Sequence, residues 1–193
     1  MKAVKTLPEN YTEIFSVDLK KNKKLSLLVN FLAIVIAVLM IIPAQFKVSL
    51  SLLFDMEQGI EIYAIRFVVL LVSAVAYIIL HELIHGIAMK ICGTKKVKYG
   101  FTGVYAFAGS EDYYDKKSYI FIALAPVVLW GIVLAVINSI VPDEWFWIVY
   151  FIQITNISGA AGDFYVTAKF SRMPSDILIR DYGVGMHVFS SKR

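Results

Sequence analysis

A single cysteine, Cys92, stands in a chain of 193 residues, so no internal disulfide can form, and the redox compartment is left open. Histidine is almost as scarce. His81, His85 and His187 are all there are, too few imidazoles for the two-iron histidine boxes of membrane desaturases and hydroxylases. Charged residues make up only 18% of the chain against 59% hydrophobic residues, and the mean hydropathy is +0.69. Those values exclude an ordinary soluble domain of this length. Internal repeats and low-complexity tracts are lacking, and no appended soluble domain is expected. The N-terminal segment has no short apolar core followed by a small-residue cleavage site, so no removable signal peptide is expected. The net charge of +4 comes from lysines in blocks beside apolar runs, a topology pattern rather than a phosphate-binding face. No nucleic-acid partner is expected.

What is present is apolar sequence. Four runs, residues 25–44, 62–89, 120–141 and 145–168, meet the roughly 20 residues of helix that cross a hydrocarbon core of about 30 Å. Lys20, Lys21, Lys23 and Lys24 precede the first, and Lys90, Lys95, Lys96 and Lys98 follow the second. Lys116 and Lys117 precede the third, and Lys169 and Arg172 follow the fourth. The two opposite connections carry Asp55, Glu57, Glu61, Asp143 and Glu144. The positive-inside rule then puts both termini in the cytoplasm, with Trp145 and Trp147 at the outer interface. Arg66 marks the outer end of the second helix, snorkelling or paired with Glu57 or Glu61.

The expected fold is an all-α polytopic membrane protein of four transmembrane helices, one unit over residues 1–193 with a cytoplasmic tail at 169–193. One element interrupts the helices. Between the second and third, Tyr99, Phe101, Tyr105 and Phe107 alternate with Lys98, Gly100, Thr102, Val104, Ala106 and Ala108, a period-2 pattern that predicts a short cytoplasmic-side β-hairpin. Its aromatics either rest on lipid headgroups, or its edge holds an unfolded substrate segment, with Tyr105 and Phe107 as contacts. Residues 176–181 read as a short strand or helical turn, and residues 11–19 as interfacial.

The chemistry is concentrated in His81-Glu82-Leu83-Ile84-His85. Residues four apart share a helix face, so both imidazoles can address one metal while Glu82 reaches a water beside it. Three ionisable groups within one turn cost roughly 2.5–3.5 kcal/mol each at membrane depth, which calls for a cation as partner. Arg66 and His81 are 15 residues apart and Trp147 and Asp163 are 16, about 22 and 24 Å of helix. His81 and Asp163 therefore lie at nearly one level. Asp163 is the only carboxylate in the fourth run and is the candidate third ligand, with His187 and Glu111 as rivals. Asn156, two turns before Asp163, can hydrogen-bond a substrate carbonyl or a neighbouring helix. Pro126, at the depth of His81, frees a backbone carbonyl and bends the third helix, which packs it closely or opens a water path.

A four-helix membrane chain with His-Glu-Leu-Ile-His-Gly in one helix and Gly162-Asp163 in a later one resembles the site-2 class of intramembrane zinc metalloproteases. Over most of its length it resembles a family of short bacterial membrane proteins described as zincin peptidases. In site-2 proteases the later motif runs Asn, two residues, Pro, then Leu-Asp-Gly, its aspartate being the third zinc ligand. Here Gly159, Gly162 and Phe164 stand in place of Pro, Leu and Gly, and the Asn-to-Asp spacing is one residue shorter. The resemblance implies His81, His85 and Asp163 as ligands of one zinc per chain and Glu82 as the catalytic base. It implies an integral protein of a bacterial plasma membrane that cleaves membrane-associated polypeptides near the cytoplasmic face. Its partners would be the bilayer and a transmembrane peptide substrate; a homo-oligomer is compatible with the sequence. The alternative is a non-catalytic zinc-binding membrane adaptor or pseudoprotease, which a closed fourth ligand position would indicate.

Overall fold

The computed structural model describes residues 3–18, 21–103, 105–183 and 185–192; Lys20 and Val104, counted above in a basic block and in the alternating segment, lie outside the described residues. Three helices, α1 (Lys23–Lys47), α2 (Ile60–Ile91) and α3 (Lys116–Ile140), are long and apolar enough to cross a membrane. Local chemistry sets their starts. The Asn22 side chain accepts from the N–H of Leu25 at 3.0 Å ahead of α1, and that of Asp115 accepts from Ser118 at 2.8 Å ahead of α3, each satisfying a donor that the first helical turn leaves over.

The fourth apolar run departs from the expected single helix. It forms α4 (Asp143–Gly159) and α5 (Ala161–Ser171), separated at Ala160. Glycine costs about 1 kcal/mol relative to alanine inside a helix, and Ser158 to Gly162 contains two glycines and no large side chain to hold a continuous turn. The break places Asp163 in the first turn of α5, where the positive end of the helix dipole favours a carboxylate.

The all-α expectation is corrected by a four-stranded antiparallel sheet in the order β1-β6-β5-β4, built from β1 (Thr12–Asp18), β4 (Tyr113–Asp115), β5 (Leu178–Asp181) and β6 (Gly185–Ser190). It joins both terminal segments to the connection ahead of α3. Tyr114, Ile179 and Val188 are in register across it, fully buried, and packed in one core with Ile122 and Phe170 of the helices. The predicted hairpin is present as β2 (Lys98–Phe101) paired with β3 (Ala106–Gly109). It rests against α2 where Gly86 leaves room, because a Cβ there would collide with the Tyr99 hydroxyl.

Two residues expected at the outer end are held within the protein. Trp147 is buried, and its indole N–H donates to the carbonyls of Val48 and Ser49 at 3.1 and 3.0 Å. Arg66 is buried too, donating to the Gln58 side chain at 2.7 Å with its guanidinium over the Trp145 ring. Both groups find partners in neighbouring elements, which removes the need to reach headgroups.

Candidate metal centre

One turn of α2 sets His81 above His85, with ring centroids 4.9 Å apart. Asp163 reaches across from α5. Its two oxygens lie 3.8 Å from His81 Nε2 and 3.7 Å from His85 Nε2. These separations are too long for hydrogen bonds. They are close to the roughly 3.3–3.6 Å that separates neighbouring donors held tetrahedrally about 2.0–2.2 Å from a zinc ion. Ligand atoms of His81, Glu82 and His85 also fall within 4.8 Å of one another, so Glu82 adjoins the same space. The donor set, two imidazoles and a carboxylate, suits zinc.

What faces the other ring nitrogens decides whether those imidazoles can coordinate. Pro126 has no N–H to give to the carbonyl four residues earlier, that of Ile122. This freed carbonyl lies 2.9 Å from His85 Nδ1. A carbonyl only accepts, so Nδ1 carries the proton and Nε2 turns its lone pair toward Asp163. The proline expected to pack or to open a water path thus fixes a histidine tautomer.

His81 is fixed by a longer chain of donors. Asn156 donates from Nδ2 to the Val127 carbonyl at 3.1 Å and accepts the Tyr77 hydroxyl proton at 2.8 Å. The Tyr77 oxygen can then accept only from His81 Nδ1, 2.7 Å away, which again leaves Nε2 free. Asn156 is fully buried with both ends of its amide engaged between helices. It therefore braces the site from behind and does not present a hydrogen bond to a substrate.

Tyr77 was missed in the sequence, although its place four residues before His81 puts it on the same helix face. Replacing Tyr77 with phenylalanine should weaken zinc affinity by about 10–100-fold, the usual effect of removing such a supporting partner. Competition with a chromophoric chelator measures it, with unchanged circular dichroism showing that the helices persist.

In front of the histidines lies a cavity of about 400 Å³ whose walls include Val29, His81, Glu82, His85, Tyr105, Phe107, Asp163 and Asp181. Tyr105 and Phe107 are among its lining residues, and the Tyr105 hydroxyl lies 3.4 Å from that of Ser26 on α1. Asp181, which the sequence did not single out, enters from the tail. It accepts from the Tyr119 hydroxyl at 2.7 Å and from the Gly183 N–H at 2.8 Å. Burial pushes its carboxyl above the ordinary range, against the lowering effect of those two donors. The rival ligands are engaged elsewhere. His187 Nδ1 lies 3.1 Å from a Glu13 oxygen, and Glu111 pairs with Lys98 and Arg180.

Fold and site together define a membrane-associated helical protein with a His-Glu-x-x-His cluster of the zincin type, faced by a carboxylate from a second helix. The chain belongs to the family described as "Putative zincin peptidase", which matches residues 74–178. That stretch contains His81, Glu82, His85 and Asp163 and ends before Asp181. The family's description is that of a peptidase of the zincin type, a class whose metal is zinc. A protein of Pyrococcus woesei, described as "Uncharacterized 24.7 kDa protein in gap 5'region", is 30% identical over 122 residues, 61% of this chain and 53% of that protein. The chain thus spans about half the length of this relative. No solved structure matches the chain.

Proposed function

We propose that this protein is a zinc-dependent endopeptidase that hydrolyses peptide bonds of membrane-associated polypeptides near the cytoplasmic face, holding one zinc through His81, His85 and Asp163. The observation that carries the reading is the approach of both Nε2 atoms to the two Asp163 oxygens at 3.8 and 3.7 Å, with both Nδ1 atoms occupied from behind. Bound zinc would supply Lewis acidity, polarising a carbonyl and making a water easier to deprotonate.

The protein's own groups then divide the work. Glu82 takes a proton as the water oxygen bonds to the carbonyl carbon, and returns it to the amide nitrogen as the C–N bond breaks; the second water proton then passes from the new carboxyl to the amine, giving a carboxylate and an ammonium group. Tyr77 and the Ile122 carbonyl keep the imidazoles in one tautomer throughout. Tyr105 and Phe107 line the space beside the hairpin, where an extended segment would pair with the strand edge.

Membrane proximity rests on α2, which carries the histidines and is long and apolar enough to span. The cytoplasmic side rests on Lys90 and Lys169, each within six residues of a proposed ligand; the same rule places both termini there. An adaptor with a closed zinc site is disfavoured because His187 and Glu111 are paired elsewhere. Purified protein in lipid vesicles with zinc should cleave a fluorogenic single-span reporter near its cytoplasmic boundary. Phenanthroline should abolish the cleavage and added zinc restore it. Cleavage that continues in excess chelator, or reporters that stay intact with zinc bound, would contradict the proposal.

A further inference from the structure

The zinc site as proposed uses two of the cavity's three carboxylates. Asp163 and Glu82 together balance a zinc dication, both imidazoles being neutral in the tautomers fixed above. Asp181 is left over. It lies close enough to His85, Asp163 and Glu82 to interact electrostatically with each. Among the described residues no lysine or arginine lines the cavity, and the adjacent Arg180 is paired with Glu111.

The tail holds this carboxylate in place. Asp181 is opposite Met186 in the β5–β6 ladder, on the same strand face as Ile179, two residues earlier, which is buried in the core. Gly183, with a φ of +95° that a side chain would strain, closes the turn and donates its N–H to one Asp181 oxygen, while Tyr119 of α3 donates to the other. Two donors fill only about half of a carboxylate's acceptor positions. A carboxylate on the wall of a cavity of about 400 Å³, with no lysine or arginine beside it among the described lining residues, favours a cationic group in that cavity.

We propose that Asp181 is a specificity-determining residue that selects substrates with a lysine or arginine side chain next to the scissile bond. This rests on the peptidase reading above and deepens it. Zinc and Glu82 act on the peptide group, common to all substrates, whereas Asp181 reads the side chain beside it. It does so from the tail strand β5.

The test uses the full-length protein in vesicles and single-span fluorogenic reporters carrying one lysine at successive boundary positions, each paired with a norleucine counterpart. At one position wild type should cleave the lysine reporter roughly 10–100-fold faster, the range expected of a close charge pair in a binding site. Asp181→Asn should bring that ratio to about one. Asp181→Glu, which keeps a carboxylate at this position, should retain a lysine preference. Affinity gives a readout independent of turnover: zinc-loaded Glu82→Gln protein should bind the labelled lysine peptide more tightly than its norleucine partner, and the Glu82→Gln, Asp181→Asn double variant should not. An unchanged ratio in Asp181→Asn, or no lysine preference at any position in rate or in binding, overturns the proposal. Failure of wild type to cleave any reporter would instead strike the peptidase reading, and this inference with it.

Discussion

Glu82→Gln protein is expected to keep its zinc and to lose about 10²–10⁴-fold in kcat/KM, the usual contribution of a positioned general base. Glutamine has the shape of glutamate without an oxygen that binds a proton at neutral pH. It fills the same space beside His81 and His85, whose ligand atoms lie within 4.8 Å of those of Glu82. The two imidazoles and Asp163 would remain to hold the metal, so zinc content should match wild type while the rate falls. Reporter cleavage and metal analysis on one preparation check both halves. Wild-type rates would remove Glu82 from the chemistry; a parallel loss of zinc would make it a ligand.

The second large effect is on the metal itself. His85→Ala and Asp163→Ala should each lower zinc affinity by about 10²-fold or more, since folded zinc sites bind with roughly 10–16 kcal/mol shared among few ligands. The two changes act through different elements, α2 and α5, so a common loss would show that the site bridges helices far apart in the chain. Asp163→Ala also removes a carboxylate from beside two imidazoles, and His85→Ala leaves the Ile122 carbonyl without its partner. Neither residue belongs to the core clusters that join the helices and the sheet. The proteins should therefore still fold, with near-wild-type circular dichroism in the absence of zinc.

Much of this site was legible in the chain because its signals are local. Two histidines four apart state their shared face in one turn of helix, and the membrane setting makes their ionisable character conspicuous. Asp163 was legible by counting helical rise, although α4 and α5 are not one straight helix; the break at Ala160 leaves the aspartate beside the histidines. The alternating aromatics from Tyr99 to Phe107 announced β2 and β3. Pro126 signalled a freed carbonyl, but not that His85 would take it.

The rest depended on pairings that no local pattern records. Strands of three to seven residues carry little alternation of their own, and β1, β4, β5 and β6 come from the two ends and the middle of the chain. Residues 176–181 were read as a short strand or helical turn, and β5 is that strand, but the register of its Ile179 with Tyr114 and Val188, which buries all three, leaves no local sign. Asp181 looked like a tail carboxylate in a polar stretch; only the ladder with β6 and the Tyr119 hydroxyl bring it to the cavity. Asn156 was open to a substrate carbonyl or a neighbouring helix, with the helix the safer reading, and the buried Tyr77 hydroxyl and Val127 carbonyl engage it between helices.

Everything central here depends on one zinc ion shared by α2 and α5. Zinc-edge X-ray absorption on the purified, metal-loaded protein tests that most directly. The spectrum should show a nitrogen and oxygen shell at about 2.0–2.2 Å with the outer scattering of two imidazoles, reduced to one in His85→Ala and kept at two in Asp163→Ala. A shell without imidazole scattering, or one unchanged by His85→Ala, would contradict the account.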